Sequence, residues 1–163
     1  MTQAPFAVPP GGSRFDSEVP STHKIRVKVS GKDTSGAFTV LEVTTAPDAG
    51  SPLHIHHIEN EWFYTLEGEY EIQVGGQVYH LPPGAGVYGP KLIPHAWHDV
   101  GTTPSKMLVI AEPAGNMEAF SEELESLRSG ATPRDPTQAR AFFEKYDLEI
   151  VGPPLPKKFV NER

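Results

Sequence analysis

The sequence predicts an all-β domain, a barrel or sandwich, closed by two short C-terminal α-helices. Short β-prone runs recur from Lys24 to Glu112, and 15 Gly and 17 Pro in 163 residues supply frequent turns. After Glu112 the apolar period changes from that of a strand to that of a helix.

The β-prone runs follow in order. Lys24–Ser30 alternates Ile25, Val27 and Val29 with basic residues, and Ala37–Thr45 carries Phe38, Val40, Leu41 and Val43. Glu61–Glu67, Glu69–Val74, Gln77–Leu81, Ala85–Tyr88, His95–Val100 and Lys106–Glu112 come next. Gly68, Gly75-Gly76, Pro82-Pro83-Gly84, Gly89-Pro90 and Gly101 separate them, residues that favour tight turns and interrupt ladders. Beyond them, Asn116 stands where it can cap a helix with Met117, Phe120, Leu124 and Leu127 on one face and Gly130 past its end. Asp135-Pro136 reads as the N-cap and first position of a second helix with Ala139, Phe142, Phe143 and Tyr146 on its apolar face. These helices are too short to form a core of their own, so they are expected to pack on the outside or mouth of the barrel. The expected organisation is an extended Pro-, Gly- and Ser-rich arm at 1–22, a barrel at 23–115, and helices with an irregular tail at 116–163.

Composition narrows the function. The length suits one domain, and 37% hydrophobic with 21% charged residues is ordinary for a soluble globular chain. With no cysteine, disulfides, thiol nucleophiles and thiolate metal sites are excluded, so any metal must sit on nitrogen and oxygen. A formal net charge of -7 and scattered Lys and Arg argue against nucleic acid. Nothing resembles a leader or a membrane span, so a cytoplasmic location is expected.

Three of the seven histidines fall within His54–His57. On an extended backbone His54 and His56 share a face, while parity sends His57 and Glu59 outward. Glu61 follows after room for a bend. Two imidazoles and a carboxylate inside a barrel need a partner, because burying them unpaired costs several kcal/mol. A metal ion is an efficient one, and this donor set suits Fe(II) and leaves open positions. His95, delivered by the loop Lys91–Pro94 onto a new strand, is the natural fourth ligand. The remaining histidines, His23, His80 and His98, read as surface or satisfied core groups.

The run His54-x-His56-x4-Glu61-x6-Gly68, with Pro94-His95 before a later strand, resembles the two motifs of the cupin superfamily over about residues 37–112. Asp99 stands where the second motif often carries Asn, and Gly50 lies nearer the first His than is usual. The resemblance implies a cupin jelly-roll β-barrel with His54, His56, Glu61 and His95 as ligands to one divalent transition-metal ion (Fe, Ni, Co, Mn, Cu or Zn). A single barrel followed by two helices and the Tyr146–Leu155 tail is further similar to the quercetinase-like monocupins. That subgroup implies dioxygenation of a small aromatic, flavonol or enolisable substrate, with Glu61 as catalytic base.

Under this reading Phe63 and Trp97, by parity with Glu61 and His95, and also Phe38, Tyr88 and Met107, line the substrate pocket. Two alternatives stand beside it: a non-redox isomerase, cyclase or decarboxylase at the same ion, and a non-catalytic binding cupin. A homodimer is expected, with the arm at 1–22 covering a strand edge of the neighbouring subunit.

Overall fold

The computed structural model describes residues 4–14, 24–129 and 135–157. Its strands are β1 (Lys24–Val29), β2 (Thr39–Thr45), β3 (Leu53–His56), β4 (Asn60–Glu67), β5 (Tyr70–Val74), β6 (Gln77–Leu81), β7 (Gly86–Gly89), β8 (His95–Asp99), β9 (Ser105–Glu112) and β10 (Leu148–Gly152). Two helices, α1 (Met117–Ser129) and α2 (Pro136–Glu144), lie between β9 and β10. The strands form two five-stranded sheets, one ordered β1-β2-β9-β4-β7 and the other β10-β3-β8-β5-β6. Every named pairing is antiparallel. The expected all-β class with two closing helices is what the structure shows.

Alternation drives the sandwich. In β2 and β9 every second residue is buried, so Leu41, Val43, Met107 and Val109 project between the sheets and meet Phe63, Tyr70 and Ile72. Each such side chain contributes about 1.5–3 kcal/mol by leaving water. One end of this interior is polar but satisfied: Asp99 accepts hydrogen bonds from Thr45 Oγ1 (2.6 Å), Ser105 Oγ (2.7 Å) and the Gly101 amide (2.9 Å). Asp99 is therefore a structural anchor for the turns around β8. Gly68 turns β4 into β5 at φ +73°, and a side chain there would run into Ser105, so only glycine fits.

The helices close the other end. Phe120 of α1 packs with Phe143 of α2 and with Tyr146 and Leu148 in a second apolar cluster. Glu118 fixes α1 to the end of β1 by accepting from Ser30 Oγ (2.8 Å) and the Gly31 amide (2.5 Å). The N-cap of α2 is as expected, Asp135 accepting from the Thr137 amide at 2.9 Å with Pro136 next. Asn116 instead turns its side-chain amide to Asp147 (2.8 Å), which joins the start of α1 to the turn before β10. The expected terminating Gly130 lies outside the described residues.

One feature departs from the sequence expectation. Strand β10, in a stretch where no strand was expected, follows the second helix and pairs with β3, with Leu148 opposite His56 and Ile150 opposite His54. Its alternation spans only five residues between a helix and a Pro pair, too short to stand out. The described part of the arm bonds to its own chain: the Arg14 amide donates to the Val27 carbonyl (2.6 Å) and Lys28 Nζ to the Gly12 carbonyl (2.7 Å). It thus covers the edge of β1. Among the described residues no helix is long and apolar enough to cross a membrane.

Candidate metal centre

Four buried side chains converge between the sheets: His54, His56, Glu61 and His95, whose ligand atoms all lie within 4.8 Å of one another. Strand register explains how. His54 and His56 are alternate residues of β3 and share its inner face, and His95 of β8 is the register partner of His54 in the same sheet. Glu61 comes from β4 in the opposite sheet, where it pairs with Gly89 and Ala111. One sheet supplies three imidazoles and the other a carboxylate facing them.

Glu61 Oε2 lies 2.8 Å from His95 Nε2 and 3.2 Å from His56 Nε2, and His54 Nε2 lies 3.2 Å from His56 Nε2. His54 Nδ1 is 2.8 Å from the Pro52 carbonyl and must donate to it, which leaves Nε2 as a lone pair facing the cluster. His56 Nδ1 is 3.2 Å from Glu59 Oε2 and donates to it, so in the neutral ring Nε2 carries the lone pair. His95 Nε2, close as it is to Glu61, makes no bond of hydrogen-bonding geometry, and both its ring nitrogens are buried without such a partner.

Electrostatics prepare the donors. Burial, reinforced by His95 and His56 beside it, pushes His54 down to about 3, so its ring is neutral at physiological pH. Burial works against the charge on Glu61, but the imidazoles of His56, His95 and His54 outweigh it and hold the carboxyl down to about 2. His56 is raised: burial opposes its charged form, and the Glu61 and Glu59 carboxylates overcome that. Three inward-facing nitrogens and one anionic oxygen, buried and in part unsatisfied, form the donor set that a borderline divalent ion accepts. The residues fit a metal.

The donors open into a cavity of about 150 Å³. Phe63 and Trp97, which share parity with Glu61 and His95, line it, and so does Met107. Phe38 and Tyr88 do not. Tyr88 pairs with Trp62 across β7 and β4 on the outer face and is 52% exposed, while Phe38 precedes β2 in an exposed turn and is 38% exposed. The wall is completed instead by Met117 and Phe120 of α1 and Phe143 of α2, the last edge-on to the His54 ring at 5.7 Å between centroids. Their helical spacing was legible, but which surface that face would cover was not.

Glu59 corrects a second expectation. It is fully buried and holds His56, whereas strand parity had sent it outward. Parity fails because β3 ends at His56 and the chain bends before β4. The signal was present in the sequence as a carboxylate three residues after a ligand histidine. His57 does point out, to the exposed Glu149 (3.1 Å). His80 is exposed beside Glu69 (3.4 Å), His98 is buried with Asp48 at 3.1 Å from its Nε2, and His23 lies outside the described residues.

The sandwich agrees with what family comparison finds. Residues 41–111 match the cupin domain model. This cupin region holds all four ligands and most of both sheets, while β1, β10 and the helices lie outside it. Among solved structures, KdgF from Halomonas sp. is similar at 15% identity over 71% of this chain and 99% of that one, with a TM-score of 0.60. An RmlC-like cupin from Shewanella frigidimarina is 16% identical over 70% of this chain and 96% of that one, TM-score 0.56. A predicted oxalate decarboxylase from Thermotoga maritima is 20% identical over 56% and 80%, TM-score 0.52. At these identities the likeness shows the cupin fold alone. Comparison with curated proteins found no match.

Proposed function

We propose that this cupin is a metal-dependent dioxygenase of compact phenolic or enolisable substrates. The observation that carries the reading is the lining of the cavity. Beyond the four ligands, its polar residues among those described are two serines, Ser51 and Ser121, and no described Lys or Arg lines it. A substrate rich in carboxylates or sugar hydroxyls would leave its polar groups unpaired there, at a cost of about 1–3 kcal/mol each. A flat apolar ring or enol with a single oxygen to present would not. Phe63, Trp97 and Phe143 offer it aromatic walls.

Size sharpens the class. A cavity of about 150 Å³ matches one known to hold a benzene-sized guest. A single-ring substrate therefore fits behind α1 and α2, whereas a three-ring flavonol requires Phe120 and Phe143 to move aside.

The bound ion would supply a Lewis acid and redox partner that makes the substrate hydroxyl acidic and brings it together with dioxygen. His54, His56 and His95 hold the donor geometry. Glu61, held well below the usual carboxylate range, is a weak base and accepts the proton only from so acidified a hydroxyl. The apolar wall excludes water from the carbanion-like substrate. Both oxygen atoms of one dioxygen enter the product as the carbon–carbon bond breaks, so no external reductant is consumed.

The test offers protein loaded with Fe, Ni, Co or Mn a series of catechols, small enols and flavonols while oxygen uptake is followed. Uptake matched to loss of a single-ring substrate is expected. Turnover of the same substrates under strict anaerobiosis would instead establish a non-redox isomerase, cyclase or decarboxylase, and binding without change would make the chain a carrier.

A further inference from the structure

We infer that Glu59 is a positioning residue for the metal centre: its carboxylate fixes the tautomer and angle of His56 and supplies the second negative charge that a buried divalent ion requires. The inference rests on the metal-centre reading and goes beyond it, since Glu59 is not one of the four ligands and does not line the cavity.

Geometry comes first. Glu59 has no exposed surface, and its two oxygens are divided between two donors. Oε2 is 3.2 Å from His56 Nδ1, and Oε1 accepts from the Asn116 amide at 2.7 Å, just ahead of α1. The second bond locks the carboxylate in place, so the first sets the ring. Gly115 makes this possible: at φ +48° it has no Cβ, and one built there would run into Glu59 Oε1. A glycine backbone, a buried acid and a ligand imidazole thus form one rigid relay.

The three ligand imidazoles are not equivalent. His54 Nδ1 leans on the neutral Pro52 carbonyl, and His95 Nδ1 is buried with no hydrogen bond. His56 alone among them is backed by an acid. Donation of Nδ1–H to a carboxylate makes Nε2 a stronger donor and holds its lone pair on the ion, an arrangement whose loss generally costs 10–100-fold in metal affinity. Charge points the same way. A dication with Glu61 alone would leave one uncompensated positive charge in a buried site, and Glu59 brings the sum to zero.

Metal binding by wild-type protein, Glu59→Gln and the surface control Glu149→Gln decides the matter, with Co(II) as the probe and its visible absorption as the readout. Gln keeps the size of Glu59 but lacks its charge and has only one acceptor oxygen for two donors. Glu59→Gln is expected to bind Co(II) 10–100-fold more weakly and to show a shifted ligand-field spectrum, with Glu149→Gln unchanged. A purely structural role would lower the melting temperature of the metal-free variant and leave affinity and spectrum alone; that result overturns the inference. Should Glu59→Gln not fold, Gly115→Ala displaces the intact Glu59 and is expected to weaken binding several-fold, unchanged affinity again overturning it. Failure of wild-type protein to bind Co(II) is a different outcome, since it removes the metal reading itself.

Discussion

At the scale of single residues, the centre is defined by which atoms are left without partners. His95 is the clearest case, with two buried ring nitrogens lacking hydrogen bonds beside an anionic Glu61. Glu61 is where the proposed roles of ligand and base can be told apart. Glu61→Gln retains an oxygen donor but cannot accept a proton, so at saturating metal turnover is expected to fall by about 10²–10⁴-fold, with the ion bound more weakly. Metal content and steady-state rates measured on one preparation check it. The pKa shifts predict how the metal-free protein responds to acid. His54 has an ordinary value of 6.5 and a folded one of about 3, so its contribution is complete above pH 6.5 and is lost as pH falls toward 3. Glu61, at 4.5 ordinarily and about 2 when folded, keeps its contribution above pH 4.5 and loses it as pH falls toward 2. His56, being raised, contributes below 6.5 and loses that as pH rises through its folded value. Melting temperature against pH should therefore decline on the acid side of 6.5, and His54→Asn should flatten that limb.

At the scale of elements, what could be read from the sequence depended on regular periodicity. β2, β4, β5, β6 and β9 have buried inner faces or Gly and Pro boundaries, and the sequence placed them to within two residues. The His-x-His pair was legible because β3 is extended, and parity holds on an extended chain. Glu59 and β10 were not, for opposite reasons. Glu59 sits in a bend where parity has no meaning, and β10 is a regular strand too short to signal itself. Phe38 and Tyr88 failed as pocket residues because their aromatic character says nothing of which face they occupy. The cavity depends most on α2. Phe143→Ala should cost about 3–5 kcal/mol as a core truncation and open the wall beside His54, shifting acceptance toward two-ring substrates. Asp135→Ala should cost only about 1 kcal/mol, the value of an N-cap. Chemical denaturation and substrate profiles of the two variants separate loss of stability from change of shape.

At the scale of the whole molecule, the centre joins the sheets: three ligands come from one and the fourth from the other. An ion bound there would tie the two sheets together and should stabilise the folded chain by about 4 kcal/mol at a concentration about a thousandfold above its dissociation constant. For a chain of this size that is a rise in melting temperature of about 8–16 °C. The cupin sandwich is a scaffold that many chemistries share, so the proposed reaction would be selected by the cavity wall and by the two helices outside the matched domain. All of it depends on the ion. Elemental analysis of protein purified without added metal, followed by titration of the stripped protein with Co(II), tests this most directly. The wild-type chain is predicted to hold or take up one equivalent of a divalent transition metal, and His56→Ala to lose stoichiometric binding. A wild-type chain that neither carries metal nor binds it in titration would contradict the assignment of His54, His56, Glu61 and His95 as a metal centre.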